Sequence, residues 1–411
     1  METSSFLAGT ATADITPELD RPVYLAGFAP SRAATGVLHP LEAGVLVLRR
    51  GDEAVALVTA DLIGLLRPDV DAIRARVTAL PPERVMVCST HTHAGPDTIG
   101  MWGKGALGIP FRSGVDPVYM ERLHEAIADA VDRAAAAAAP ATLAAGAFDA
   151  PKTWVTNHRK GGGRFDRVTV LAIRWGDSTP AAVLVNFAAH PEGLWEKNTE
   201  ISPDYPASFR TRMRALGVET PLFFNGPLGG MLTPDIPIKM DTAGRRKMCD
   251  NLGVQLAERV HGFLEELRPV TAAPLRVARI VESLENRNWR FRLGSRLGVF
   301  NRNLNSTGGV ETEMNLIEVG PLRILTVPGE PLPELGHRLV AALGARLSMV
   351  LALGNDELGY ILPEDLLKAR EYGYERTMTL TPELGPWAER TATRLAAELG
   401  PTSEEVDHGA A

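Results

Sequence analysis

Val85-Met86-Val87-Cys88 is a short apolar run rich in β-branched residues, closed upstream by Pro81-Pro82 and downstream by Gly95-Pro96. A run of that length between turn residues reads as a buried strand opening into a loop. The loop begins Ser89-Thr90-His91-Thr92-His93-Ala94. Side chains at i and i+2 of an extended backbone share a side, so His91 and His93 are expected to point the same way. They are two of only nine histidines in the chain, and α/β proteins usually place ligands at strand mouths. Taken alone, the stretch leaves two readings open. The histidines are either loop residues satisfied by backbone carbonyls or the centre of metal or proton-transfer chemistry.

Similar apolar runs recur at residues 43–48, 54–59, 143–148, 168–175, 181–187, 221–224, 313–319, 322–327 and 348–353, and these read as strands. Helical segments are expected over 68–80, from the Asp116-Pro117 cap to about 138, over 242–267, after Pro331 to about 345, and over 382–399. Asp61, just past a strand, reads as a helix or turn cap. The loop 156–164 sets basic residues around Gly161-Gly162-Gly163, which suits a flexible tip or an anion-binding nest. Residues 276–309 are basic and irregular, and read as a surface excursion lining a cleft. The expected class is α/β, a mixed β-sheet core flanked by helices with a site in loops at strand ends. Residues 1–400 are expected to form one catalytic domain and 401–411 a flexible tail.

Composition narrows the function. A net charge of −7 without a long basic run argues against nucleic acid. Cys88 and Cys249 are the only cysteines, too few for a disulfide framework or a cysteine zinc cage. No apolar stretch approaches the ~20 residues of an integral membrane segment. The first residues lack the basic and apolar regions of a signal peptide, so a cytoplasmic protein is expected. There is no Gly-x-Ser-x-Gly elbow and no phosphate-binding glycine motif. The loops past four apolar strands instead carry His91 and His93, His190, Glu330, and Tyr360. Two or three histidines with a carboxylate form a catalytic zinc set that leaves room for water.

Several short motifs then run in a recognisable order: Thr12-Ala13-Asp14-Ile15-Thr16-Pro17, Thr59-Ala60-Asp61, Thr90-His91-Thr92-His93-Ala94-Gly95-Pro96, Asn157-His158-Arg159, and Asn186-Phe187-Ala188-Ala189-His190-Pro191. Ser202-Pro203-Asp204-Tyr205-Pro206, Gly329-Glu330, Gly359-Tyr360-Ile361 and Tyr374-Glu375 follow. In these the chain resembles the neutral/alkaline ceramidase family, zinc-dependent amidases that cleave the amide of N-acyl sphingosine. The resemblance implies a Zn2+ ion held by His91, His190, Glu330 and Tyr360. It implies His93, Arg159 and Tyr374 as catalytic or substrate-polarising neighbours, with Tyr372 a near alternative to Tyr374. Gly230-Met231-Leu232-Thr233-Pro234 departs from the family, placing Met where an acidic residue is expected, and His158-Arg159 replaces its Arg-Ser. The immunoglobulin-like domain of the larger ceramidases is not expected after Pro401.

The function expected is zinc-dependent hydrolysis of a small-molecule acyl amide. The alternatives are a zinc hydrolase of another acyl amide, ester or lactone, or a binding protein that keeps the fold. A lipid taken from a membrane needs an exposed apolar surface or amphipathic helix. None is evident beyond Trp289-Arg290-Phe291, so a substrate more soluble than long-chain ceramide is expected.

Overall fold

A computed structural model describes residues 6–106, 109–176, 180–270, 274–299, 304–305 and 308–402. The expected 401–411 tail, apart from its first two residues, lies outside them, as do residues 1–5. Eight strands build the main path of the larger sheet: β1 (Phe6–Asp14), β2 (Glu42–Arg50), β3 (Glu53–Ala60), β4 (Val85–Ser89), β5 (Ala139–Asp149), β6 (Arg167–Arg174), β7 (Ala182–Phe187) and β8 (Thr220–Asn225). Their order is β8-β7-β6-β5-β1-β2-β3-β4. A second sheet follows the order β9 (Leu275–Leu284), β10 (Val310–Val319), β11 (Leu322–Thr326) and β12 (Leu347–Leu351).

The two sheets stack face to face, and helices cover both outer faces. Along β4, Val85 and Val87 join the core beneath α1 (Arg67–Arg74) and α2 (Pro117–Ala136), whereas Met86 and Cys88 face the second sheet. In β2, Val45 and Val47 face the helices, and Leu46 and Leu48 meet Ile317, Leu322, Ile324 and Met349 in the inter-sheet core. A sheet covered on both faces needs apolar side chains on both, which is why these strands read as continuous rather than alternating runs. The other half of the larger sheet is covered by α3 (Tyr205–Ala215) and α4 (Thr242–Phe263). Beyond the second sheet, α6 (Pro333–Leu343) and α8 (Leu384–Leu399) close a fourth layer through Leu335, Leu339, Trp387 and Leu395. The α2 cap stands as read, with the Asp116 side chain accepting from the Val118 amide and Pro117 opening the helix.

Most neighbouring strands are antiparallel, against the parallel arrangement that strand-end sites suggest. Within these two sheets three pairs are parallel: β3–β4, β7–β8 and β11–β12. These three pairs contain every strand that leads to a singled-out loop. β4 runs to His91, β7 to His190, β11 to Glu330, and β12 to the loop ending at Tyr360. Parallel pairing brings two carboxyl ends side by side, where an antiparallel pair offers one.

Two local readings need correction. Residues 275–284 form β9 rather than an irregular excursion; only the part beyond it, including α5 (Trp289–Arg296), leaves the sheets. Asp61 is not a free turn cap. Its carboxylate accepts from the Glu42 amide at 2.8 Å and pairs with the buried Arg210 guanidinium.

Candidate metal centre

His91 enters the site in the left-handed region, at φ +72°. A non-glycine residue is uncommon there, and such strain persists only where the surroundings hold it. Here the His91 amide donates to the Leu62 carbonyl at 2.9 Å, and Nδ1 lies 2.6 Å from the Ile63 carbonyl. His190 is held in the same manner, with Nδ1 3.0 Å from the Leu232 carbonyl. Donating Nδ1–H to a carbonyl leaves the Nε2 lone pair free, the usual arrangement of a metal-binding imidazole. Both Nε2 atoms turn to one oxygen of Glu330, at 3.4 Å from His91 and 3.0 Å from His190.

His93 completes the group. Its ring centroid lies 4.9 Å from that of His91 and 5.6 Å from that of His190. Its carbonyl accepts from Arg32, and Nδ1 lies 3.2 Å from a carboxylate oxygen of buried Glu192. Neither ring nitrogen of His93 makes a hydrogen bond among the described residues. Gly27 makes room for the ring. It has φ +98°, and a Cβ there would lie 2.3 Å from His93 Cγ.

Charge follows burial and contact. Burial alone would raise the Glu330 carboxyl, but His91 and His190 reverse this and hold it well below the ordinary range. Burial opposes protonation of His91, and Glu330 more than compensates. His93 is pushed well down by burial, then by His91, His190 and Arg32. Burial raises Glu192 and also Tyr360, the latter further raised by Glu330. Tyr374 is pushed up to about 12, chiefly by burial and then by Glu330.

The donors fit a metal ion. Donor atoms of His91, His93 and His190 lie within 4.8 Å of one another, as do those of His91, Glu330 and Glu357. Imidazole nitrogens with a carboxylate oxygen are the donor chemistry of a borderline transition-metal ion. The His91/His93/His190/Glu330 cluster can therefore hold one.

Three of the four, His91, His93 and Glu330, line a cavity together with Tyr360 and Tyr374, and its wall contains Ile63, Leu66, Ile99, Met101, Trp102 and Phe291. Tyr374, on the short helix α7 (Gly373–Thr377), packs against Tyr360 with ring centroids 5.9 Å apart. Tyr372 turns away, its hydroxyl donating to Glu334 at 3.0 Å. Arg159 does not line the cavity. Its guanidinium pairs at 2.7 Å with buried Glu375, the residue after Tyr374. The glycine loop beside Arg159 is held by its own contacts, since the Gly163 amide donates to Glu334 and the Asn157 side chain to the Gly163 carbonyl.

No protein-family profile matches the chain, and no curated protein matches it. Solved structures do. The neutral ceramidase from Pseudomonas aeruginosa matches with a TM-score of 0.75 at 16% identity, over 97% of this chain and 76% of that one. A ceramidase complexed with C2 matches with a TM-score of 0.76 at 16% identity, over 96% of this chain and 75% of that one. The chain has the neutral ceramidase fold.

Within that ceramidase fold, four polar residues of the site were given no role from sequence. Asn225, at the end of β8, donates through its amide to the Thr90 and Ala189 carbonyls, each at 2.9 Å. It thereby ties together the residues just before His91 and His190. Glu192 faces His93, Glu357 lies with His91 and Glu330, and Glu375 anchors Arg159. Asn225 stands in a glycine-rich turn and Glu192 beside a histidine-proline pair, positions that mark a loop without revealing what lies across it. Among the described residues no helix is long and apolar enough to cross a membrane.

Proposed function

We propose that the chain is a zinc-dependent amidohydrolase that cleaves an N-acyl bond. The observation that carries this reading is the convergence of the His91 and His190 Nε2 atoms on one oxygen of Glu330, where His91 and Glu330 line an apolar-walled cavity. His91, His190, Glu330 and Tyr360 would hold the ion. Zinc supplies Lewis acidity, which polarises an amide carbonyl and makes water acidic enough to ionise near pH ~7.

The chain's own residues do the rest. His93 accepts the attacking water's proton and passes it to the amide nitrogen, which must be protonated to leave. Tyr374 donates its phenolic proton in a hydrogen bond to the carbonyl oxygen as charge develops there. Arg159 holds Glu375 and thereby the α7 turn that presents Tyr374. The apolar wall of Ile63, Leu66, Ile99, Met101 and Trp102 accepts the acyl group and excludes water from the reacting bond.

Metal analysis of the purified protein, coupled to a hydrolysis screen over N-acyl sphingosines, N-acyl amino acids and lactones, tests this. Near-stoichiometric zinc and turnover of an N-acyl substrate are expected. Folded, metal-free protein inert toward every amide after zinc loading overturns the proposal, and turnover confined to lactones moves the chemistry to esters.

A further inference from the structure

Ten large hydrophobic residues are exposed among the described residues, and they are not evenly spread. Tyr374 stands at the cavity mouth. Trp289, Leu293 and Leu297 follow one another at i, i+4 and i+8 along α5 and its cap, exposed by 62%, 47% and 68%. That spacing sets them on one helical face. The opposite side of the same helix sends Phe291 into the cavity wall. Phe111, exposed by 68%, lies on the loop that carries Met101 and Trp102. That loop abuts the end of α5, because Gly100 has no room for a Cβ against the Val299 carbonyl.

Five of these ten exposed side chains thus are Tyr374 of the cavity lining or lie on the two segments that send Phe291, Met101 and Trp102 into its wall. The charge there runs against the whole chain, whose net is −7. Residues 288–299 contain Arg290, Arg292 and Arg296 and no carboxylate, and all three arginines are exposed. The neighbouring stretch of sequence, residues 100–115, has no carboxylate and contributes the exposed Lys104 and Arg112. Arg290 also lies over the Trp289 ring, 5.6 Å from its centroid. This is the Trp289-Arg290-Phe291 segment, the one exception left open in the sequence. A short amphipathic helix with Trp and Leu on one face and arginines beside them is present at the mouth of the site.

We propose that this rim docks on an anionic lipid bilayer and presents the cavity mouth to it. The acyl boundary of a bilayer takes the Trp289, Leu293, Leu297 and Phe111 side chains, and lipid phosphates pair with the surrounding cations. Tryptophan favours that boundary because its ring is apolar and its N–H polar. Only the corollary, that an acyl-amide substrate is drawn from the bilayer into the cavity, rests on the amidase reading.

Co-sedimentation of the intact protein with vesicles tests the docking without reference to turnover. Vesicles of phosphatidylcholine mixed with phosphatidylglycerol should bind it, phosphatidylcholine alone should bind it much less, and added salt should weaken binding. W289A/L293A/L297A and R290Q/R292Q/R296Q should each lower the partition coefficient ~10-fold or more, with unchanged circular dichroism. A fluorescence difference between the wild type and W289F should shift to shorter wavelength on vesicle addition. Both variants should still turn over a soluble N-acyl amide, and a wild type inert toward every such amide would count against the catalytic reading rather than the docking. Failure of the wild type to sediment with anionic vesicles, or equal sedimentation by the variants, overturns the proposal. So does a concentration-dependent dimer that W289A/L293A/L297A abolishes while vesicle binding is absent, since the face would then belong to a second copy.

Discussion

At the scale of single residues, His91 and His93 are separated by their second contacts. His91 is pinned through Nδ1 to a carbonyl and turns Nε2 to Glu330, whereas His93 sets Nδ1 3.2 Å from the Glu192 carboxylate and has no carbonyl to fix its ring. His91→Ala should therefore lose metal and, with it, activity. His93→Ala should keep its metal while turnover falls ~10²–10⁴-fold, the usual worth of a positioned acid or base. Zinc content and rate measured on both variants decide this, and metal loss confined to His93→Ala would reverse the roles. Gly27→Ala offers an independent route to the same place. Its methyl group would collide with the His93 ring, so turnover should drop while zinc occupancy stays near that of the wild type. An unaltered rate would show that the ring can shift without consequence. His91, His93, His190, Glu330 and Tyr360 were all legible as polar residues after apolar runs. Asn225 and Glu192 were not, because their meaning lies in partners 135 and 99 positions away, Thr90 and His93.

At the scale of elements, the strands were legible as apolar runs, but β9 was not. Its sequence, Leu275-Arg276-Val277-Ala278-Arg279-Ile280-Val281-Glu282-Ser283-Leu284, carries charges that suggest a loop. Those charges are satisfied across the ladder, where Arg276 pairs with Glu318 and Arg279 with Glu313 of β10. Glu313 also takes Arg74 at 2.6 Å and Arg67 at 3.1 Å, joining β10 to α1 across the inter-sheet edge. Burial alone would raise its carboxyl, yet Arg74, Arg67 and Arg279 bring it down from 4.5 to about 2. A folded-state value below the unfolded one stabilises the fold above pH 4.5, and this contribution is lost as the pH falls toward about 2. It amounts to roughly 3 kcal/mol at neutral pH. Glu313→Gln should cost about 3–5 kcal/mol at pH 7, because it strands buried guanidinium groups. It should also flatten the acid limb of the stability curve. Denaturant unfolding at several pH values measures both, and parallel acid limbs in the two proteins would show that Glu313 does not titrate in that window.

At the scale of the whole molecule, the α/β class with a mixed sheet was legible, but the stacking of two sheets was not. A strand apolar on both faces looks the same whether helices or a second sheet cover it. The stacking matters because the candidate ligands do not share a sheet. His91 and His190 follow β4 and β7 of the larger sheet, and Glu330 and Tyr360 follow β11 and β12 of the smaller one. Direct backbone links between the layers at this end include the Asn355 amide donating to the Val87 carbonyl at 2.7 Å and the Ala352 amide to the Asn225 carbonyl at 3.0 Å. An ion held by both groups would pin the layers together where the strand ends otherwise meet through loops. Binding to the folded state alone stabilises it by about 4 kcal/mol at a free metal concentration a thousandfold above Kd. Chelation should therefore lower the thermal midpoint, and zinc should restore it. Glu330→Ala removes the oxygen that both Nε2 atoms face and should make the midpoint insensitive to chelator. His93→Ala, in which the ligands from both sheets remain, should keep the chelator shift. Scanning calorimetry of the three proteins with and without chelator separates these cases. An unchanged wild-type midpoint after complete metal removal would show that the two sheets hold the site's geometry without the ion.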